Sequence, residues 1–402
     1  MVKKWTALVL ALCLSLLAGS SALADVFETE DGRSVIIAVG GSFAYTRDTA
    51  GTVRVWGDNQ FGQLGKGHLS QTFKVMEFAS RNENIDISQL KDIVPANDYS
   101  FLWMEDGTLW GVGNNSYLPL TVSEGIYSTH VRVNLPEAPV AVATGFGHVL
   151  ALTEKGEVYA WGRNSNGQVG DGSTRKTMTP VKLSLQNIVQ IVGGGKFSLA
   201  LDSEGQLWGW GDNEYHVISP GNEKYVTVPT KIDTGDIAIA KIEACGASAV
   251  LLDTQGTLWT WGHNDMQQLG YDTKGRTVSV PTAVPLPLPV KYVAAYSSQT
   301  YAILEDGSLW SWGNNSYGQL GQGFRSSSTE GVLPGQCWDK DVVMVMGGSL
   351  YCLAMLKDGT VLTAGISKFG QLGEGTPDSK YTLSPNGMRL IVPPKGMSEM
   401  KN

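Results

Sequence analysis

The chain contains 402 residues, of which 42% are hydrophobic and 17% are charged. The charged fraction is below the roughly 25% usual for soluble domains, and the 12 tryptophans argue against intrinsic disorder, because disordered chains are rich in charge and poor in aromatic residues. The 30 basic residues are outnumbered by 38 acidic ones, which disfavours a role in nucleic-acid binding.

The first 24 residues have the pattern of a Sec-type signal peptide. Lys3 and Lys4 precede an apolar stretch from about Thr6 to Ala18, and small residues for a signal peptidase follow it. The sequence therefore predicts cleavage after Ala24 and a secreted or extracytoplasmic chain. The alternative is an uncleaved membrane anchor, but the apolar stretch is shorter than the ~20 residues that span a bilayer. No later apolar run is long enough, so we expect no membrane insertion after cleavage.

A pair of glycines recurs seven times in the rest of the chain. In every copy the second glycine follows the first by six residues, and successive copies lie 49 to 56 residues apart. A constant offset of this kind predicts one structural unit per copy. The pairs are Gly51/Gly57, Gly107/Gly113, Gly156/Gly162, Gly205/Gly211, Gly256/Gly262, Gly307/Gly313 and Gly359/Gly365. The predicted hairpins lie near residues 44–65, 101–120, 149–170, 198–218, 249–270, 301–321 and 352–373.

Each copy has the pattern of a β-hairpin. The first glycine often follows an aspartate, as at Asp106, Asp306 and Asp358, and Asp-Gly is favoured in tight turns that need a positive φ. Before the turn, hydrophobic residues such as Tyr301 and Ile303 alternate with the period of two that is typical of a strand. After the turn, bulky residues flank a small one, so that one sheet can pack on the next.

About 51 residues per copy hold four short strands, and a single sheet of this size cannot bury both of its faces. Seven sheets packed radially bury them, so the sequence predicts an all-β, seven-bladed β-propeller that occupies residues 25–402 as one domain. The first copy begins directly with a strand at residues 34–43, and we expect residues 381–393 to supply its outer strand. The N- and C-terminal strands then share one blade and close the ring. The longest step between copies indicates an insertion near residues 67–88, which we expect to protrude as a loop.

The repeats resemble those of the regulator of chromosome condensation family of seven-bladed propellers. The resemblance rests on an aliphatic strand followed by Asp-Gly, an aromatic residue, Trp-Gly, Asn and Gly-Gln-Leu-Gly, which are clearest in residues 57–65 and 313–321. It covers about residues 34–393. Three copies depart from the pattern, with Val112 and Leu118-Pro119-Leu120 in the second, His216-Val217-Ile218 in the fourth and Ala364 in the seventh.

This resemblance implies a propeller that binds proteins and leaves the partner open. The best-known member of the family is a guanine-nucleotide exchange factor for a small nuclear GTPase. It acts through loop residues outside the repeat motif, so no residue role is transferred from it. A light-sensing branch carries a Gly-Trp-Arg-His-Thr signature, which this sequence lacks. Secreted bacterial propellers that bind and inhibit β-lactamases are the branch that best matches the signal peptide.

No motif in the sequence points to catalysis, a cofactor or a metal. The five histidines fall in separate repeats without the spacing of paired metal ligands, and neither a nucleophile elbow nor a phosphate-binding loop is present. Three cysteines remain after signal cleavage, which argues against a complete disulfide framework and leaves open whether Cys337 pairs with Cys352. Cys245 and Cys352 occupy positions that are small in sister repeats, so we expect core residues there. We therefore predict no enzyme and no cofactor.

Nine tryptophans recur at equivalent positions of the repeat, and we expect them to pack between blades rather than to bind a ligand. They are Trp56, Trp110, Trp161, Trp208, Trp210, Trp259, Trp261, Trp310 and Trp312.

One column of the repeat suggests a partner-binding surface. Four residues after the second glycine, where the strand passes into a loop, five of the seven copies carry an aromatic residue. Aromatic residues at a rim of this kind are typical anchors of protein interfaces. The alternative is that they cap the edge of each blade. The candidate partner-binding residues are Phe61, Tyr117, Tyr215, Tyr317 and Phe369.

The sequence therefore predicts an exported, monomeric, non-catalytic scaffold that binds a protein, and not nucleic acid, through the loops of one propeller face. An enzyme is the third of the alternatives, and a bound metal in purified protein would be its first indication; the other two alternatives are binding functions. One is an inhibitor of a secreted enzyme such as a β-lactamase. The other is a guanine-nucleotide exchange-type effector that acts on a host small GTPase.

Overall fold

Each sequence repeat folds into one antiparallel sheet, and the seven sheets form a ring. The computed structural model describes residues 25–273 and 275–392, so the predicted signal peptide and its cleavage after Ala24 lie outside the described residues. The prediction of an all-β, seven-bladed propeller is confirmed.

The strands follow the chain in blade order. Blade 1 contains β1 (Asp25–Glu28), β2 (Ser34–Val39), β3 (Phe43–Arg47), β4 (Val53–Gly57) and β5 (Thr72–Glu77). Blade 2 contains β6 (Leu90–Pro95), β7 (Tyr99–Met104), β8 (Leu109–Asn114) and β9 (Ile126–Arg132). Blade 3 contains β10 (Pro139–Thr144), β11 (His148–Thr153), β12 (Val158–Gly162) and β13 (Thr177–Lys182). Blade 4 contains β14 (Ile188–Gly193), β15 (Phe197–Asp202), β16 (Leu207–Asp212) and β17 (Tyr225–Ile232).

The remaining three blades repeat this order. Blade 5 contains β18 (Ile239–Cys245), β19 (Ser248–Asp253), β20 (Leu258–His263) and β21 (Thr277–Ala283). Blade 6 contains β22 (Val290–Tyr296), β23 (Gln299–Leu304), β24 (Leu309–Asn314) and β25 (Gly331–Trp338). Blade 7 contains β26 (Val342–Gly347), β27 (Tyr351–Leu356), β28 (Thr360–Gly365) and β29 (Lys380–Arg389). A 3-10 turn at Ile87–Gln89 precedes β6, and within the described ranges no helix is long and apolar enough to cross a membrane.

The ring has two faces that differ in their connections. Because neighbouring strands are antiparallel, the inner hairpins and the long loops before the outer strands emerge together on one face, which we call the loop face. It comprises residues 40–42, 58–71, 96–98, 115–125, 145–147, 163–176, 194–196, 213–224, 246–247, 264–273, 275–276, 297–298, 315–330, 348–350 and 366–379. The opposite face, which we call the turn face, comprises residues 29–33, 48–52, 78–89, 105–108, 133–138, 154–157, 183–187, 203–206, 233–238, 254–257, 284–289, 305–308, 339–341 and 357–359.

The ring closes without a shared blade. Residues Lys380–Arg389 form an outer strand, but it pairs with β28 of its own blade. The outer strand of blade 1 is β5, which pairs with β4. The predicted sharing of one blade by the two ends is therefore wrong, because the stretch interpreted as an insertion already supplies blade 1 with its outer strand. The same stretch is packed rather than protruding, since Phe78 and Ile85 are buried against residues of blades 1 and 2.

Direct contacts between blades 1 and 7 close the ring instead. The strand β2 lies against β26, and β1, which pairs with β2, also contacts β26. The Trp56 indole nitrogen donates a hydrogen bond to the carbonyl oxygen of Gln371 at 2.8 Å. The Arg33 guanidinium donates to the carbonyl oxygen of Val392 at 2.6 Å. The two ends of the described chain are thus held at one seam.

Five tryptophans of the repeat join their blade to the preceding blade. Each is at most 1% exposed, and its indole nitrogen donates to a backbone carbonyl of the preceding loop at 2.7 to 3.1 Å. Because the carbonyl is buried, losing the donor costs its desolvation as well as the packing of the ring. The prediction of packing between blades is confirmed for these donors, which pair as Trp56 with Gln371, Trp161 with Pro119, Trp210 with Gln168, Trp261 with Val217 and Trp312 with Gln268.

Candidate partner-binding face

The five candidate aromatic residues lie on the loop face, each in a different blade. Tyr117 and Tyr317 are 42% and 41% exposed, whereas Phe61, Tyr215 and Phe369 are half-buried. They belong to blades 1, 2, 4, 6 and 7 and are therefore spread around the ring rather than gathered in one patch. Two rings of the column are thus accessible to solvent, and the other three are partly covered by neighbouring residues.

Two of these rings pack across a seam between blades. The Arg163 guanidinium of blade 3 lies 4.8 Å from the centre of the Tyr117 ring. The Tyr215 and His263 rings, from blades 4 and 5, have centroids 4.1 Å apart. Arg163 directly follows the third strand of blade 3, and His263 ends the third strand of blade 5. Tyr117 and Tyr215 of the aromatic column therefore lie at seams between blades on the loop face. Capping a blade edge and presenting an aromatic edge to a partner are compatible at such a seam.

A buried glutamine organises the loop after the third strand in five blades. Its side-chain oxygen accepts the backbone N–H of the residue two positions earlier, at 2.8 to 2.9 Å. These are the glutamines of the Gly-Gln-Leu-Gly motif and its variants, namely Gln63, Gln168, Gln268, Gln319 and Gln371. Blade 2 has Pro119 at this position and blade 4 has Val217, so these two loops lack the side-chain bond.

Blade 4 also departs from the repeat in its backbone. His216 adopts a positive φ of 54°, at the position where four other blades carry glycine. A non-glycine residue in the left-handed region costs of order 1–3 kcal/mol and is often retained at functional sites. Leu118 in blade 2 and Gln267 in blade 5 share this strain, with φ values of 68° and 56°. The strained residues therefore fall in loops of the blades that flank the seams described above.

A cleft of about 230 Å³ opens on the loop face between blades 4 and 5. We call it the seam cleft; its side-chain lining includes Phe146, Lys196, Asp212, Glu214, Tyr215, Val217 and His263. A second cavity of about 80 Å³ lies at the mouth of the central channel and shares four lining residues with the seam cleft, namely Phe146, Gly195, Gly246 and Ser297. The two cavities therefore form one concave path from the centre of the loop face outward.

The carboxylate of Asp212 differs from its counterpart in blade 1. Gln60 N and Gln63 Nε2 donate to the buried Asp58 carboxylate at 3.1 and 3.3 Å. Asp212 is half-buried and accepts from Glu214 N at 3.2 Å and from Asn166 Nδ2 at 3.3 Å. Burial raises the pKa of Asp212 above its ordinary value, because burial disfavours the charged form. The substitution of valine for the motif glutamine therefore leaves a desolvated carboxylate at the cleft.

The two faces differ in charge. The described residues of the loop face include eleven acidic and nine basic residues, whereas the turn face includes eighteen acidic and five basic ones. Most exposed aromatic rings lie on or beside the loop face, including Tyr117, Phe146, Tyr317 and Phe324. The loop face is therefore nearly neutral and aromatic, and the turn face is strongly acidic.

The three described cysteines and the buried His130 and His148 are poor candidates for nucleophilic or acid–base chemistry. Burial raises the pKa of Cys245 and Cys337 to about 12, so these thiols stay protonated, and all three described cysteines are free. Burial lowers the pKa of His130 and His148 to about 3, so both imidazoles are neutral at physiological pH. In the part of the chain that the structure describes, no three or more His, Cys, Asp or Glu side chains are grouped as metal ligands.

Phe146, Asp212 and His263 line the seam cleft but do not belong to the aromatic column that the sequence indicates. Phe146 is 38% exposed at the second position of the blade 3 hairpin, where the other six blades carry Gly, Asn or Ser. Aligning that hairpin column would have identified it. The cleft itself follows from the His216-Val217-Ile218 departure, which was visible in the sequence, although the resulting space depends on how blade 5 packs beside it.

Comparisons with known proteins point to a single protein family. The family model described as "RCC1-like domain" matches residues 128–400 of this chain. The chain is 30% identical over 383 residues to the E3 ubiquitin-protein ligase HERC2 of Homo sapiens, covering 88% of this chain but 8% of HERC2. It is 27% identical over 372 residues to the ultraviolet-B receptor UVR8 of Arabidopsis thaliana, covering 88% of this chain and 81% of UVR8. The match to HERC2 thus concerns a small part of a much longer protein.

A solved structure supports the same fold. The crystal structure of Prp20p from Saccharomyces cerevisiae, described with its binding properties to Gsp1p and histones, superposes with a TM-score of 0.75. The match covers 94% of this chain and 89% of Prp20p at 18% identity, so the likeness concerns the fold.

Proposed function

Since the chain belongs to the RCC1-like domain family, we propose that it is an exported, monomeric, non-catalytic scaffold that binds a protein partner through the loop face. One observation carries the choice of face, namely the combination of exposed aromatic rings with an almost balanced charge on that side of the ring. The cores of protein interfaces are depleted of charge and enriched in aromatic residues. The turn face has the opposite character.

The remaining parts of the proposal have separate supports. The signal-peptide pattern of residues 1–24 supports export. Buried thiols and neutral buried histidines favour binding over catalysis. Prp20p, which shares the fold, has binding properties toward Gsp1p and histones, and this supports a propeller whose partner is a protein.

The test compares one exposed apolar residue from each face. Tyr117 on the loop face and Leu288 on the turn face are both 42% exposed, so Tyr117→Glu and Leu288→Glu introduce the same charge at matched exposure. Purified protein and each variant are immobilised and used to capture partners from extracellular and host-cell fractions, with the retained partner quantified. We expect Tyr117→Glu to weaken retention about tenfold or more, as for an interface anchor, and Leu288→Glu to have no effect.

Two arms of the experiment address the alternatives. Inhibition of a β-lactamase by the purified protein, lost in Tyr117→Glu, would identify the partner as a secreted enzyme. Accelerated nucleotide release from a small GTPase would identify an exchange-type effector. Loss of partner retention in Leu288→Glu but not in Tyr117→Glu would contradict the choice of the loop face.

A further inference from the structure

We infer that the seam cleft between blades 4 and 5 receives a basic side chain of the protein partner, with arginine favoured over lysine. This inference rests on the proposed function, because it specifies the chemistry of a partner that the loop face would bind. It is carried by one arrangement, in which the half-buried Asp212 carboxylate and the Tyr215 and Phe146 rings line a single concave space.

The cleft originates in a departure from the repeat. In blade 1, the buried Gln63 amide donates to the Asp58 carboxylate. In blade 4 the equivalent residue is Val217, whose side chain can neither donate a hydrogen bond nor occupy the same space. The Asp212 carboxylate consequently lines an open cleft of about 230 Å³. A cation that enters this cleft supplies a charge-assisted hydrogen bond in the place of the one that Gln63 donates to Asp58 in blade 1.

The charges around Tyr215 favour a cation. Burial raises the pKa of Tyr215, and the nearby carboxylates of Glu214, Asp265 and Asp212 raise it further. The Arg276 guanidinium opposes these three carboxylates. Lys196 lines the cleft and Lys224 also acts on the Asp212 carboxylate, but both lysine side chains are exposed. Water and salt therefore screen their ammonium groups more than they screen the half-buried Asp212 carboxylate. The electrostatic complement of the inner cleft is therefore positive.

The aromatic rings favour arginine among the basic side chains. A guanidinium is planar, stacks on aromatic faces and can donate two parallel hydrogen bonds to a carboxylate, whereas an ammonium is a compact and strongly hydrated charge. The Tyr215 ring is held in place by the His263 ring at 4.1 Å. The His263 ring is in turn held at both of its nitrogens. Its Nε2 lies 3.0 Å from Asp265 Oδ2, and its Nδ1 lies 3.1 Å from Gln268 Nε2. The ring on which a guanidinium would stack is therefore fixed before binding.

The shape of the loop face indicates the direction of entry. The seam cleft shares Phe146, Gly195, Gly246 and Ser297 with the cavity at the mouth of the central channel. A partner segment that lies across this mouth can direct a long side chain outward into the seam. The length of arginine suits this geometry, because its charged group lies at the end of a flexible apolar stem.

The test uses short peptides and purified protein. Acetyl-Gly-Arg-Gly-amide, the lysine analogue and the uncharged citrulline analogue are titrated, and amide chemical shifts of the protein are followed by NMR. We expect saturable shifts at the seam cleft with the arginine peptide, weaker binding of the lysine peptide and none of the citrulline peptide. Asp212→Asn is expected to weaken the arginine peptide by about tenfold or more, the range for a hydrogen bond to a charged group.

A second variant and two controls sharpen the outcome. Val217→Gln restores the residue that five other blades carry and should close the cleft, with the same loss of peptide binding. Asp58→Asn in blade 1 and Asp306→Asn on the turn face should leave binding unchanged. Unchanged binding in both Asp212→Asn and Val217→Gln would overturn the inference, as would an equal loss in Asp306→Asn, which would indicate adsorption to the acidic face.

Failure of this inference can be separated from failure of the proposed function. If Tyr117→Glu weakens retention of the captured partner while Asp212→Asn does not, the loop face binds protein and the cleft does not recognise a basic side chain. If neither variant affects retention, the proposed function fails together with the inference.

Discussion

The loop face and the turn face arise from the same repeats, yet they hold their carboxylates in opposite ways. On the turn face, hydrogen bonds from the Thr108 and Ser308 hydroxyls and amides lower the pKa of Asp106 and Asp306. Burial raises the pKa of Asp98 on the loop face and of Asp212, which ends β16 beside that face. The carboxylates of Asp106 and Asp306 are therefore part of their turns, whereas those of Asp98 and Asp212 are held at a cost to stability.

This difference explains how one repeat can serve two purposes. The Asp-Gly turns recur because the backbone needs a residue that accepts amide hydrogen bonds followed by one that tolerates a positive φ, as at Gly307 with φ of 80°. The long loops on the loop face do not need such a pair of residues at every position. Blades 2 and 4 can therefore replace the motif glutamine and acquire new surface chemistry, while their turns keep a glycine with a positive φ, at Gly107 and Gly205.

The largest expected effect concerns the two classes of tryptophan that point toward the two faces. Trp261 is buried, and its indole nitrogen donates a hydrogen bond to the Val217 carbonyl oxygen in the loop of blade 4. Trp259 is half-buried, and its indole nitrogen donates to Asp253 Oδ2, beside the turn face, at 2.9 Å. We expect Trp261→Ala to reduce the free energy of unfolding by about 3–5 kcal/mol. Trp259→Ala should cost less, because more of its ring is already exposed. Denaturant unfolding followed by circular dichroism measures both, and equal losses would contradict the distinction.

A smaller effect is expected from relief of strain at the seam cleft. His216→Gly removes the side chain from a residue with a positive φ, so it should raise stability by about 1 kcal/mol relative to His216→Ala. The alanine variant is the control, because it also lacks the imidazole but retains a Cβ. Melting temperatures of the two variants give the comparison. A glycine variant that is no more stable than the alanine variant would show that this backbone is unstrained.

The smallest effects should have opposite signs on the two faces. Asp212→Asn should raise the melting temperature at pH 7, because the raised pKa means that the ionised form is disfavoured in the folded state. This gain should shrink as the pH falls through the folded pKa toward the ordinary value of 3.8, where the wild-type carboxyl is itself protonated.

Asp306→Asn should do the reverse. The lowered pKa of Asp306 means that its ionised form stabilises the fold above the ordinary value of 3.8, and that this contribution is lost as the pH falls through the folded pKa. The variant should therefore melt below wild type at pH 7 and together with it at strongly acidic pH. A pH series of melting curves for both variants tests the pair, and shifts of the same sign would remove the contrast between the faces.

The sequence predicted the architecture because each repeat carries its own turn and strand signals. The glycine pairs and the alternation around them determine the number of blades without any knowledge of contacts. The closure was mispredicted because residues 72–77 lie in the longest and least regular step, where the repeat pattern is too weak to indicate a strand. Which terminus meets which blade then depends on packing that has no local signal.

The candidate site was predictable only in part, for a related reason. The aromatic column repeats in register and is visible in the sequence, but its exposure depends on the adjacent blade, and it differs between Tyr317 and Phe369. The seam cleft depends on Val217 and on residues of blades 3 to 6 that are distant in the chain. A departure from the repeat in the sequence identifies a loop whose surface can differ. The packing of the neighbouring blades then determines the shape of that surface.

Hydrogen exchange of the purified protein with and without its captured partner tests the central claim most directly. The account predicts slower exchange in residues 115–125, 145–147 and 213–224 of the loop face when the partner is bound, with turn-face residues 105–108, 154–157 and 305–308 unchanged. Protection confined to those turn-face residues would contradict it.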